Sequence, residues 1–262
     1  MSFSEVGVAQ IVEGAWKWVG IDNYIHVITN TDFLPALRAT VLITLISTVS
    51  TVLGGLFIAA VLERNNRANL VTQGLLVFLW ALPPLVVGFV WKFLLASDGP
   101  VPQLLGMTGV GVGPQGPQSP LTNDVGALLA VAMVVAWVGS AFASLIFRAA
   151  ILGRDRSQIE AAVVDGASTW HVFRYITLPA LRPAIAVQAL LTVIYCFRAF
   201  DLPYVMTSGG PGNATTTLPY LAYQQSFGTL DFSSGSATAV ICLAFVAVFA
   251  TIYIRMSERS AD

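Results

Sequence analysis

The sequence predicts an all-α integral membrane protein. Three observations carry that prediction: a composition too apolar for a water-soluble domain, uncharged runs long enough to cross a bilayer, and basic residues gathered in alternate loops. Of the 262 residues, 56% are hydrophobic and 10% charged, where a soluble domain carries about 25% charged residues. The net charge is −1 and no basic stripe exists, which excludes nucleic acid as a partner. Cys196 and Cys242 both sit in apolar runs without metal-site spacing, and are expected to be small buried hydrophobes. Met1 to Val19 lacks the basic start and apolar centre of a signal peptide.

A bilayer core needs about 20 apolar residues in a helix. Four runs meet that length without a charge: 39–62, 68–91, 125–147 and 232–254. A fifth runs from Pro183 to about Met206 and is interrupted by Arg198 and Asp201. Pro83-Pro84 predicts a kink inside the second run, because neither ring nitrogen can donate to the preceding turn.

Orientation follows from Lys and Arg in the short loops. Arg64 and Arg67 lie between the first two runs; Arg148, Arg154, Arg156, Arg174 and Arg182 lie between the third and fourth; Arg255 and Arg259 follow the last. Those nine of the thirteen basic residues share one side, so the 148–182 loop and the C-terminus are expected in the cytoplasm. Residues 1–35 then form an external N-terminal segment ahead of a transmembrane domain at 36–262. An external N-terminus calls for an earlier span, and a missing first helix is expected rather than an amphipathic surface piece at Val6–Trp18.

The cytoplasmic loop is the most polar part of the chain. Ser157-Gln158-Ile159-Glu160 has the form of a capping box that opens a short helix through about Val164. Gly166 permits a sharp turn. Ser168 caps a second short helix with Trp170, Phe173 and Tyr175, and Leu178-Pro179 stops it. The result is two short helices joined at a bend. A solvated linker would satisfy this pattern, but Ala161-Ala162 beside Asp165-Gly166-Ala167 allows the close backbone approach of a knob entering a groove.

Within the interrupted run, Gln188, Leu191, Tyr195 and Arg198 follow helical steps and form one face. Asp201 is within ion-pair reach of Arg198. Polar groups inside a span are costly and usually face a cavity, although Arg198 is also placed to snorkel outward. Gly209–Thr217 is expected as an external loop. Asn213-Ala214-Thr215 matches a glycosylation acceptor only by a pattern that arises often by chance. His26 and His171 are isolated and receive no metal or nucleophilic role.

Glu160-Ala161-Ala162, Asp165-Gly166-Ala167, Phe173, Ile176, Leu178-Pro179 and Pro183 resemble the EAA motif, which marks permease subunits of binding-protein-dependent ABC importers. The likeness extends over nearly the whole chain. Gly20-Ile21-Asp22-Asn23-Tyr24 resembles the segment before the family's second helix. Thr207-Ser208-Gly209-Gly210-Pro211, Thr215-Thr216-Thr217-Leu218 and Ser226-Phe227 are similar to the carbohydrate-uptake branch, of the maltose and glycerol-phosphodiester type. The family normally has one more helix before Gly20.

The resemblance implies a type I ABC importer permease fold, with five transmembrane helices in this chain and a sixth lost at the N-terminus. It implies a subunit of a multi-pass importer in a bacterial or archaeal inner membrane. The partners would be a second permease, two copies of a cytoplasmic ATP-binding subunit, an extracytoplasmic solute-binding protein and membrane lipid. Glu160, Ala161, Ala162, Asp165, Gly166 and Ala167 would couple to the ATPase; Phe173 and Leu178 would anchor the knob. Substrate contacts would come from Gln188, Tyr195, Arg198 and Asp201, with Trp137, Gly139 and Phe142 on the preceding span. The solute would be a disaccharide, oligosaccharide, polyol or glycerophosphodiester. The chain has no G-x-x-x-x-G-K-[ST] loop, so it is expected to be no enzyme and to carry no cofactor, with ATP and Mg held by the partner. A secondary carrier or channel subunit not driven by ATP is the alternative; carriers commonly show internal repeats, and none is seen.

Overall fold

In a computed structural model of the chain, residues 1–14, 16–63, 66–109, 111–113 and 116–258 are described. Arg64 and Arg259, two of the basic residues used for orientation, lie outside them. Fourteen α-helices are described: α1 (Val8–Glu13), α2 (Asp22–Thr29), α3 (Phe33–Val61), α4 (Arg67–Trp80), α5 (Pro84–Leu95), α6 (Pro100–Met107), α7 (Asp124–Leu152), α8 (Arg156–Val164), α9 (Thr169–Val172), α10 (Leu178–Ala180), α11 (Arg182–Cys196), α12 (Asp201–Thr207), α13 (Leu218–Tyr223) and α14 (Phe232–Glu258). Two short antiparallel pairs, β1 (Ser4–Glu5) with β2 (Lys17–Trp18) and β3 (Val112–Gly113) with β4 (Gly116–Pro117), together with a 3-10 turn at Pro120–Thr122 and π-helices at Phe173–Thr177 and Gln224–Gly228, complete the described elements.

Four described segments are long and apolar enough to cross a membrane: Phe33–Val61, Pro84–Met107, Asp124–Leu152 and Phe232–Arg255. The pair Thr169–Ala180 and Arg182–Cys196, bent by 62°, makes a fifth if counted as one span. The expected 68–91 helix is not one of them. Pro83 and Pro84 have no amide hydrogen, so the ladder stops instead of kinking: α4 ends at Trp80 and Pro84 opens α5 at the first helical position, where a missing donor costs nothing.

α3 shows the residue logic of a helix in lipid. Leu45, Val49, Leu53, Phe57 and Val61 recur every fourth position and are all exposed, while Ala36, Thr40, Ser47, Thr51 and Ala59 are buried. Lipid tails are as apolar as Leu, so large side chains gain nothing by turning inward and small ones let helices approach. The Thr40 and Thr44 hydroxyls donate to the Ala36 and Thr40 carbonyls at 2.7 and 2.6 Å, which satisfies them without water.

The chain divides into two compact units, 1–46 with 83–134 and 193–250, and 47–82 with 135–192 and 251–262. In the first, Val27, Phe33, Ala36, Leu218, Leu221, Ala237 and Cys242 form a buried cluster. Its N-terminal segment is fastened down: Val6 is buried, its N–H donates to Ser233 Oγ at 2.6 Å, and Asn23 Nδ2 donates to the Ser2 and Ser4 carbonyls. α1 buries no residue. In the second unit, Ala59, Ala143, Phe147, Ile151 and Leu181 form the core. There α3 and α7 close together over small residues. A Cβ added at Gly54 or Gly55 would meet Ser140 Oγ or Ala143 Cβ at 2.5 Å.

Candidate functional site

The 155–181 segment of the second unit is an elbow, exposed over most of 155–175 and buried at Thr177 and Leu181. Its first helix is capped two residues earlier than the sequence pattern predicts. Asp155, not Ser157, is the N-cap of α8, and its carboxylate accepts from the Ser157 N–H at 2.9 Å. A carboxylate is the stronger acceptor for orphan amides at a helix start. That backbone hydrogen bond, with the Ser157 hydroxyl, holds the Asp155 carboxyl below its ordinary pKa. The expected capping box therefore does not form, and Glu160 is exposed.

The bend is a Schellman turn. The Gly166 N–H donates to the Val163 carbonyl at 3.0 Å and the Ala167 N–H to the Ala162 carbonyl at 2.9 Å. Closing both bonds needs a left-handed residue past the helix end, and Gly166 has φ +83° with open space around it. Asp165 is the last residue before the turn; its N–H donates to the Ala161 carbonyl. Ala161 and Asp165 are exposed, Ala162 and Ala167 half-buried. All six residues predicted to couple thus lie on one helix end and its turn.

Ser168 caps α9 as expected, accepting from the His171 N–H at 3.4 Å. Trp170 stacks on Phe173 with centroids 5.8 Å apart. Pro179 does not stop the helix. Phe173–Thr177 winds as a π-helix, with the Leu178 N–H reaching back to the Phe173 carbonyl. This wider register carries the chain into α10 despite the donor missing at Pro179. The break comes later, at Leu181.

Arg148 on α7 and Arg154 just past it hold the residues that follow α3, and the sequence pattern missed both contacts. Arg148 is buried; its Nε donates to the Leu62 carbonyl at 2.7 Å and its Nη1 to Gln73 Oε1 at 2.8 Å. Arg154 Nη2 pairs with Glu63 Oε1 at 2.7 Å, its Nε donates to the Ile151 carbonyl at 2.9 Å, and its Nη1 bonds Thr177 Oγ1. A cavity of about 250 Å³ is lined by Glu63, Ile151, Leu152, Arg154, Ile159 and Glu160.

Gln188, Leu191 and Tyr195 of the expected polar face all lie on α11. α11 ends at Cys196, so Arg198 follows the helix rather than extending it, and Asp201 opens α12. Gln188 is buried while Leu191, Tyr195 and Arg198 are exposed. Gln188 Nε2 donates to Thr192 Oγ1 at 3.3 Å, and its Oε1 has no partner among the described residues. The expected Arg198–Asp201 ion pair is absent; among the described residues, the pair within 4 Å is Arg154–Glu63. Gly139 and Phe142 have packing partners: a Cβ at Gly139 would meet Thr51 Oγ1 at 2.8 Å, and Phe142 stacks on Trp80 at 4.7 Å. Trp137 is exposed.

Between α12 and α13 the chain closes into a buried knot. Thr215, Thr216 and Thr217 are all at most 3% exposed. Thr207 and Thr215 share a hydroxyl contact of 2.6 Å, Thr215 Oγ1 donates to the Gly210 carbonyl at 2.9 Å, and the Leu218 N–H donates to Thr40 Oγ1 at 2.8 Å. The acceptor-like Asn213-Ala214-Thr215 is thus part of a packed turn. His26 Nδ1 lies 3.4 Å from Ser234 Oγ, and His171 Nδ1 lies 2.6 Å from Ser168 Oγ.

Residues 51–262 match the family described as the binding-protein-dependent transport system inner membrane component. The chain belongs to that family. The elbow's sequence lies inside the matched region. The chain is 29% identical over 246 residues to the trehalose/maltose transport system permease protein MalF of Thermococcus litoralis, covering 94% of this chain and 81% of that one. It is 32% identical over 244 residues to the sulfoquinovosyl glycerol transport system permease protein SmoG of Agrobacterium fabrum, covering 92% and 77%. A solved bacterial alginate ABC transporter, in complex with alginate pentasaccharide-bound periplasmic protein, superposes with a TM-score of 0.78 at 20% identity, over 92% of this chain and 83% of that one. The permease is thus a multi-pass membrane subunit with the ABC-importer fold that the sequence predicts.

Proposed function

We propose that this permease is one of two membrane-spanning subunits of an ATP-driven importer for sugars or sugar-like solutes. It forms the translocation path with a second permease and couples to cytoplasmic ATP-binding subunits through the elbow. The observation that carries the reading is the exposed Schellman turn at Ala162–Ala167, on a chain of this family. Glu160, Ala161, Ala162, Asp165, Gly166 and Ala167 offer a motor subunit a small-sided helix end rimmed by two carboxylates. The arginine excess on the elbow side and after α14 supports a cytoplasmic position for both. An extracytoplasmic binding protein delivers solute, and ATP and Mg belong to the partner subunits.

The solute class rests on the relatives, whose names cite trehalose, maltose, sulfoquinovosyl glycerol, diacetylchitobiose and glycerol 3-phosphate. All present hydroxyls on a carbon frame. Gln188 with its unpartnered oxygen, Tyr195, Arg198 and Asp201, with Trp137, Gly139 and Phe142 on the preceding span, remain the candidate solute contacts.

The test is purification of the tagged chain from its native membrane. Two ATP-binding subunits and a second permease should travel with it, and proteoliposome uptake of radiolabelled maltose or glycerol 3-phosphate should need ATP and a binding protein. Solute movement by the isolated chain without ATP would overturn the reading.

A further inference from the structure

The elbow must be tied to the spans by something stiffer than its own backbone. A cavity of about 250 Å³ lies beside α8, lined by Ile159 and Glu160 together with Glu63, Ile151, Leu152 and Arg154. One side chain lining the cavity, Arg154, bonds three of the segments around it. Arg154 sits two residues past α7 and one before the α8 cap. Its three nitrogens bond Ile151 at the end of α7, Glu63 just past α3, and Thr177 in the π-helix that leads to α10 and α11. Arg154 is 8% exposed at its side chain. Arg148 holds the neighbouring Leu62 carbonyl from the same helix, so the α3 end is fixed at two successive residues.

We infer that Arg154 is a positioning residue that makes the α3 end, the α7 end, the elbow and the α11 lead-in move as one piece, with Glu63 as its detachable partner. The inference rests on the coupling reading above. Only a guanidinium can do this: its planar fork presents several donors in fixed directions, while a lysine ammonium is a single point on a flexible stem. The Glu63 carboxylate is 52% exposed, so the pair by itself contributes little stability. Its use is mechanical: it decides whether α3 follows the elbow.

The experiment uses the assembled transporter in nanodiscs, with Cys196 and Cys242 replaced by Ala and nitroxides placed by Phe57→Cys on α3 and Val164→Cys on α8. Both positions are well exposed, at 71% and 86%. The α3–α8 distance distribution is measured without nucleotide and after ATP trapping with vanadate. With Arg154 and Glu63 intact, one narrow distribution should be the same in both states. Arg154→Gln should broaden it and make it shift on trapping, Arg154→Lys should behave nearly as badly, and Glu63→Gln should show a smaller change of the same kind. A merely structural role predicts the same distribution in both states for every variant that assembles, and that result overturns the inference. Should Arg154→Gln fail to assemble, Glu63→Gln decides alone. Absence of any ATP-binding subunit would instead overturn the coupling reading, while the nucleotide-free distributions still judge the clamp.

Discussion

The elbow at 155–181 and the knot at 207–218 are drawn from the same alphabet of Gly, Pro, Asp, Ser and Thr, yet they use it in opposite ways. In the elbow the polar atoms point out: Glu160, Asp165 and Gly166 are exposed, and Gly166 has nothing within 4 Å of an added Cβ. In the knot they point in. Gly209 also has φ +83°, but a Cβ there would come within 2.7 Å of the Tyr220 ring and closer still to Thr216 Oγ1. One glycine serves a backbone angle alone; the other serves an angle and a volume. A segment that must offer a surface to another molecule keeps its polar groups unspent, and one that must hold helices together consumes them.

Breaking the two glycines separates these uses most sharply. Gly209→Val adds a strained φ to a steric clash in a closed site, and should cost more than about 3 kcal/mol. The measurement is the yield and melting temperature of purified chain, and the expected outcome is loss of folded protein. Gly166→Val meets no clash. It should cost about 1–2 kcal/mol of local turn stability and leave assembly and ATP hydrolysis in place, while ATP-dependent uptake falls severalfold. Normal uptake by that variant would remove the elbow's assigned role. Thr40→Val tests the knot without a glycine: it keeps the side chain's shape but takes the acceptor from the buried Leu218 N–H, a loss of about 1–3 kcal/mol. Faster hydrogen exchange at Leu218, with little change at Gly166, is the expected signature.

The elbow was legible in the sequence because every determinant is local. Gly166 follows an Ala-rich helical run at the position where a left-handed residue closes a Schellman turn, and all its partners lie within five residues. The cap was missed by two residues because Asp155 and Ser157 are both good N-caps, and only the fold decides between them. The knot was seen as a loop and no more, since Thr40 is 178 residues from the amide it accepts. Arg148 and Arg154 were counted for orientation, while their partners at Leu62, Gln73 and Glu63 lie 75 to 91 residues away. The helix end before Arg198 was not legible, because α11 stops at Cys196 with no Gly or Pro to announce it. In membrane helices periodicity says which face is small or polar, but a helix end set by tertiary packing leaves no mark on composition.

Acid sharpens the comparison with the smallest effect of the set. The Asp155 carboxylate has a lowered pKa because it accepts from the Ser157 N–H and hydroxyl. A carboxyl with a lower pKa folded than unfolded contributes stability that is fully present above the unfolded value of about 3.9. That contribution is lost as pH falls through the folded value. The first turn of α8 should therefore fray only below about pH 4. The knot's hydrogen bonds run between hydroxyls, amides and carbonyls, none of which titrates there. A nitroxide at Val164 should gain mobility between pH 5 and pH 3 only modestly, since Asp155 is fully exposed and solvent screens it. Asp155→Asn, which keeps a capping acceptor without a titrating proton, should flatten that profile. Equal mobility gain in both proteins would mean that acid loosens the elbow through another group, and that its helix start is not held by this cap.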